Sequence, residues 1–138
     1  MKEKVISKEL ALNDLESLIN KFVKRPDARE VLEKKYLDVL EAIQDGFLSF
    51  DEEMNPVFKL KNAIKNDKGE VSISEIKFKT RILPSQLTEL AKGLHPVDDL
   101  FLLQNKMTGF IISQPIAILD KFSRYDLDVI NQLASIFS

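Results

Sequence analysis

The chain has 138 residues, 44% of them apolar and 30% charged, the balance of one globular domain with its own core rather than two. Twenty basic against 22 acidic residues leave a net charge of −2, which argues against bulk electrostatic attraction to nucleic acid. No cysteine is present, which excludes a disulfide framework, a thiolate zinc site and a cysteine nucleophile.

Met1–Ile6 contains no apolar run of signal-peptide length. The longest apolar stretch, Phe110–Leu119, has about half the ~20 residues of a membrane helix and is interrupted by Pro115. A cytoplasmic protein without a membrane segment is expected.

Leu15, Leu18, Ile19, Phe22 and Val23 recur with helical spacing, and Arg25-Pro26 ends that helix. Asp27 and Glu30 have the spacing of a capping box and predict a second helix. Its stripe is Leu32, Tyr36, Val39, Leu40 and Ile43, and Gly46 is its C-terminal residue of positive φ. Residues 1–45 therefore read as a helical hairpin.

The pattern changes after Gly46. Phe47–Phe50 and Val57–Lys61 read as strands separated by the turn Asp51–Asn55, and Asn66-Asp67-Lys68-Gly69 is a second turn. In the next strand Val71 and Ile73 share one parity while Ile76, Phe78, Thr80 and Ile82 share the other. A bulge near Ser74-Glu75 would put both sets on one side. A three-stranded antiparallel meander is predicted over residues 46–82.

Helices return at Pro84, with a stop at Gly93, and a further helix is predicted from Pro96 to Gly109. A short helix follows Ser113 and Pro115 through Leu119. Ser123 caps a last one with the stripe Leu127, Ile130, Leu133, Ala134 and Phe137. The expected class is α+β in a single domain: hairpin, meander, and a C-terminal bundle of three to four short helices over residues 83–138.

Few side chains suggest chemistry. His95, the one histidine, sits with Asp98 and Asp99 where a helix start explains all three, since carboxylates offset the positive end of a helix. No second histidine completes a metal-ligand set. Asp51, Glu52 and Glu53 lack the ligand alternation and central glycine of a calcium loop, and no glycine-rich nucleotide motif is present. No catalytic, cofactor or metal residue is assigned; binding to another protein is the expected activity.

Two surfaces are candidates for it. Residues 83–138 hold only ten charged side chains, and within them Met107, Phe110, Ile111, Ile112, Ile116 and Ile118 form a candidate partner surface. Aspartate at Ile112 or Ile116 is expected to abolish partner binding and spare the fold. The alternation of Lys59, Lys61, Lys77, Lys79 and Arg81 predicts a basic sheet face. It could serve a nucleic-acid-binding regulator, although alternating lysines also protect a solvated sheet from edge aggregation.

From about Phe47 to the end, the chain resembles the phage tail assembly chaperones of Mu-like myophages. The cues are Leu48-Ser49-Phe50-Asp51-Glu52, Val57-Phe58-Lys59-Leu60, Ile76-Lys77-Phe78-Lys79, the helix at Pro84, Met107-Thr108-Gly109, Leu119-Asp120-Lys121-Phe122, Asp126 and a closing apolar helix ending at Phe137. Residues 1–45 carry no part of it, and Asn62-Ala63-Ile64 departs from the usual proline before the turn. The resemblance implies a non-enzymatic protein that binds the tape measure protein, keeps it soluble and helps the tail tube assemble around it; apart from the resemblance, the sequence is compatible with self-association. A structural tail or baseplate component is the alternative within the same setting.

Overall fold

The computed structural model describes residues 6–137; the opening residues 1–5, whose lack of a signal-like run was noted above, lie outside it. The fold is α+β. Helices α1 (Lys8–Phe22), α2 (Arg29–Lys35) and α3 (Leu37–Asp45) precede strands β1 (Leu48–Phe50), β2 (Pro56–Lys65) and β3 (Val71–Lys77). Then come α4 (Pro84–Ala91), α5 (Leu100–Ile111), a 3-10 helix (Ile116–Lys121) and α6 (Arg124–Phe137).

The N-terminal hairpin forms, with two corrections. The predicted second helix begins at Arg29, with Ala28 rather than Asp27 in the cap position and no side-chain cap; Asp27 stands 3.7 Å from Lys35 instead. It also breaks at Tyr36 (φ −118°, ψ 40°) into α2 and α3. The break is filled from a distance. Gln132 of α6 accepts the Val39 N–H at 3.1 Å and donates to Asp38 at 2.7 Å, so a side chain satisfies the first turn of α3 where a helical carbonyl otherwise would. Burial, with Asp128 as the second cause, raises the Asp38 carboxyl above its ordinary range. Arg29 ties α2 back to α1 through Glu9 and Glu16, both at 3.1 Å. Gly46 ends α3 in the left-handed region (φ 84°), as its position predicts.

The sheet is an antiparallel meander in the order β1-β2-β3. Both turns use one device. Asp51 Oδ1 accepts the N–H groups of Glu53 and Asn55, both at 2.9 Å, and Asn66 Oδ1 accepts those of Lys68 and Glu70, both at 3.0 Å. The Asn55 N–H is the leading cause that holds the Asp51 carboxyl below its ordinary range. The acidic residues after β1 are thus part of a hydrogen-bonded turn.

The irregularity predicted near Ser74-Glu75 is present, but the extra residues belong mainly to β2. Lys59 pairs with Glu75 and Ile64 with Ile73, so residues 60–63 stand opposite Ser74 alone. β3 in turn carries one extra residue, Ser72, and Val71 is left exposed rather than in the core. The bulge in β2 is held by Asp126, a fully buried residue of α6. Its two carboxylate oxygens accept the N–H groups of Lys61 at 2.9 Å and Asn62 at 3.0 Å, and Ser123 Oγ donates to it at 3.0 Å.

The core lies between the sheet and the helices α1, α3 and α6. Leu48, Phe58, Ile76, Leu15, Leu18, Leu40, Ile43, Val129, Ile130 and Leu133 are all buried there. Phe137 closes one end, packing edge-on against Phe22 at 4.9 Å and beside Phe78 at 6.3 Å. Tyr125 closes the other against Phe47 at 5.9 Å. Its hydroxyl donates to Asp45 at 3.2 Å, and burial followed by that carboxylate pushes the phenol well above its usual pKa.

The predicted helix from Pro96 to Gly109 is also corrected. Residues 96–99 are turn, α5 begins at Leu100, and Gly109 lies inside it. The reason is a tight crossing: a Cβ built on Gly109 falls 2.9 Å from the Gln114 carbonyl oxygen, and Gln114 N–H donates to Gly109 O at 2.9 Å. Only glycine lets the chain return so closely over its own helix. Gly109→Ala is expected to cost about 1–3 kcal/mol in urea unfolding, despite alanine's better helix propensity.

Candidate partner-binding surface

Helix α4 opens at Pro84, with Leu83 N–H donating to the Gln86 side chain at 2.9 Å, and it buries none of its residues. Its extensive packing is against α5 alone. Gly93, at φ 76°, turns the chain, and His95–Asp99 forms a side-chain-capped loop. His95 N–H donates to Asp99 at 2.7 Å, while His95 Nδ1 accepts from the Val97 and Asp98 N–H groups at 3.2 and 3.0 Å. The histidine and its acidic neighbours serve this turn. Among the described residues, no three His, Cys, Asp or Glu side chains gather closely enough to hold a metal ion.

Helix α5 is anchored at one end only. Thr108, Gly109 and Ile111 are buried, whereas the first two turns project with α4 as an arm. On that arm Val97 is 74% exposed, Phe101 80% and Leu100 45%, with Leu83, Leu87 and Leu102 also open to solvent. Phe101 stands at the rim of a groove of about 430 Å³ between α5 and α6. Met107, Thr108, Ile111 and Ala134 line its floor and sides, and Gln104, Asn105, Asn131 and Ser135 supply uncharged polar groups. Such an arrangement can take an apolar side chain and hydrogen-bond the backbone that carries it.

The structure divides the six residues expected to meet a partner. Ile111 and Ile112 are core, which corrects their placement on a surface: their half of α5 lies against α6 and the 3-10 helix. Phe110 is half-buried beneath the Lys79 ammonium, 4.0 Å from its ring, and Ile118 packs on the core. Met107 lines the groove, and Ile116 is partly exposed. The apolar surface is therefore displaced toward the start of α5. Leu100-Phe101-Leu102-Leu103 is the signal that sequence reasoning missed: four successive apolar residues, 100° apart on a helix, cannot all face one core.

The five cations of the predicted basic face are exposed but do not make one platform. Lys59 stands opposite Glu75, and Lys77 opposite Val57. Lys61 leans over the Tyr125 ring at 4.7 Å, while Lys79 and Arg81 lie beyond the end of β3. A carboxylate, Glu75, thus stands in the same row as Lys59, and the Lys61 and Lys79 ammonium groups are turned onto aromatic rings.

Among the described residues, no helix is long and apolar enough to cross a membrane. No protein-family model, curated protein or solved structure matches the chain.

Proposed function

We propose that this protein is a non-enzymatic tail assembly chaperone of a phage or prophage, which holds an apolar segment of the tape measure protein on the α4–α5 arm and keeps it from aggregating. The observation that carries the binding role is the arm itself. A helix with no buried residue, beside a helix whose first turn, Leu100–Leu103, is apolar on all sides, leaves a surface that water disfavours and a partner chain would cover. The identity of the client rests on the resemblance over residues 47–138. A nucleic-acid partner is the weaker reading, because Glu75 interrupts the row opposite Lys59 and the Lys61 and Lys79 ammonium groups lie over the Tyr125 and Phe110 rings.

Co-expression tests the proposal. A tape measure fragment that is insoluble alone should become soluble and copurify with this protein, and Val97→Asp on the arm should abolish both effects. A fragment that stays insoluble in its presence would overturn the chaperone reading. Purified phage particles should lack the protein; finding it there by mass spectrometry would make it a structural part of the tail instead.

A further inference from the structure

We propose that the arm and groove are also a self-association surface, on which two copies of this chain pair about a two-fold axis with Phe101 of each seated in the α5–α6 groove of the other. Knob and socket are next to one another on the same helix. Phe101 is 80% exposed at the rim, and the groove it overlooks has the ~300–1,000 Å³ size of cavities that accept an organic side group or ligand. A knob and socket sharing one patch close on themselves under two-fold symmetry, whereas a socket elsewhere on the molecule would lead to open chains.

The area also fits. The exposed apolar side chains of the arm present on the order of 500 Å², near the upper end of what a monomer leaves uncovered. A stable interface takes about 800 Å² from each partner and, in homodimers, is about 65% apolar. The side of the arm that carries Phe101, together with the apolar walls of the groove, supplies part of that apolar share, and the polar groups beside it supply the rim. Charge does not oppose the pairing: Lys92 and Lys106 stand against Glu89, Asp98 and Asp99 over the whole arm, so two copies meet nearly neutral and with both signs available for cross-pairing.

If the arm is also the client surface, as proposed above, a client and a second copy exclude one another. The free protein then keeps its apolar arm covered until a client displaces the partner copy.

Sedimentation velocity of the full chain, from low to high micromolar concentration, should show a dimer. Phe101→Asp should raise its dissociation constant at least ~30-fold, the effect of losing a central aromatic anchor, with unchanged circular dichroism because the residue is exposed. The chain has no native cysteine, so Phe101→Cys and Ser135→Cys chains can be mixed, and mild oxidation should cross-link them. A monomer throughout the range, or a dimer that survives Phe101→Asp and yields no cross-link, would overturn the proposal. Adding a tape measure segment should convert the dimer to a one-to-one complex. A client bound to an intact dimer would overturn the competition and leave the client reading standing. A dimer that ignores the segment would overturn the client reading and leave the dimer standing.

Discussion

Asp126→Ala is expected to destabilise the protein by about 3–5 kcal/mol, a large part of a small domain's stability. The side chain is fully buried, and three donors converge on it: Lys61 N–H, Asn62 N–H and the Ser123 hydroxyl. None has an evident substitute acceptor. β1 pairs with β2 only at residues 56–58, and the bulge at 60–63 interrupts the ladder with β3. The two amides therefore point at α6, and alanine would strand both, at roughly 1–3 kcal/mol each. Asp126→Asn keeps the shape but offers one acceptor oxygen and sets an amide N–H₂ against the other donor, so about half the loss is expected. Urea unfolding measures both values, and amide hydrogen exchange locates them: Lys61 and Asn62 should lose protection first. A loss under ~1 kcal/mol for alanine would mean that water replaces the carboxylate at little cost.

Asp126 also shows where the sequence is readable and where it is not. Features set by neighbours a few residues apart were legible. The stripe Leu15/Leu18/Ile19/Phe22, the positive-φ stops at Gly46 and Gly93, Pro84 at a helix start and Ser123 before α6 each follow from local geometry. So were the three strands and their turns, although β3 stops at Lys77 and leaves Phe78, Thr80 and Ile82 beyond its end. What failed depends on distant partners. The break at Tyr36 is satisfied by Gln132, more than 90 residues away, and Gly109 lies inside a helix rather than at its end, its missing side chain leaving room for Gln114. The spacing Ser123-x-x-Asp126 announces a helix start, but nothing local says that the carboxylate also secures a bulge in β2.

The candidate surface was half legible for the same reason. Low charge after Pro84 marked the half of the chain that carries the exposed arm, yet hydrophobicity alone does not distinguish Ile112 from Phe101. Burial is decided by which end of α5 reaches α6. The anchored end became core and the free end became the arm, although both are equally apolar in sequence.

That division makes the second large prediction. Ile112→Asp, expected from sequence to spare the fold, should instead unfold the protein at neutral pH. Ile112 is 3% exposed, so the substitution removes a buried aliphatic chain and places a carboxylate without a cation in its stead. The combined cost exceeds about 5 kcal/mol, enough to exhaust a typical domain's stability. Ile116→Asp, four residues on, should retain cooperative unfolding within about 1 kcal/mol, because the 38% exposed side chain can turn its charge to solvent. Far-ultraviolet circular dichroism with thermal unfolding separates the two. A folded Ile112→Asp variant would mean that the end of α5 does not pack on α6. The floor of the groove would then be absent, because neighbouring Ile111 forms part of it. A folded Phe101→Asp variant that has lost its partner, beside an unfolded Ile112→Asp variant, would place binding on the free half of α5 and stability on the anchored half.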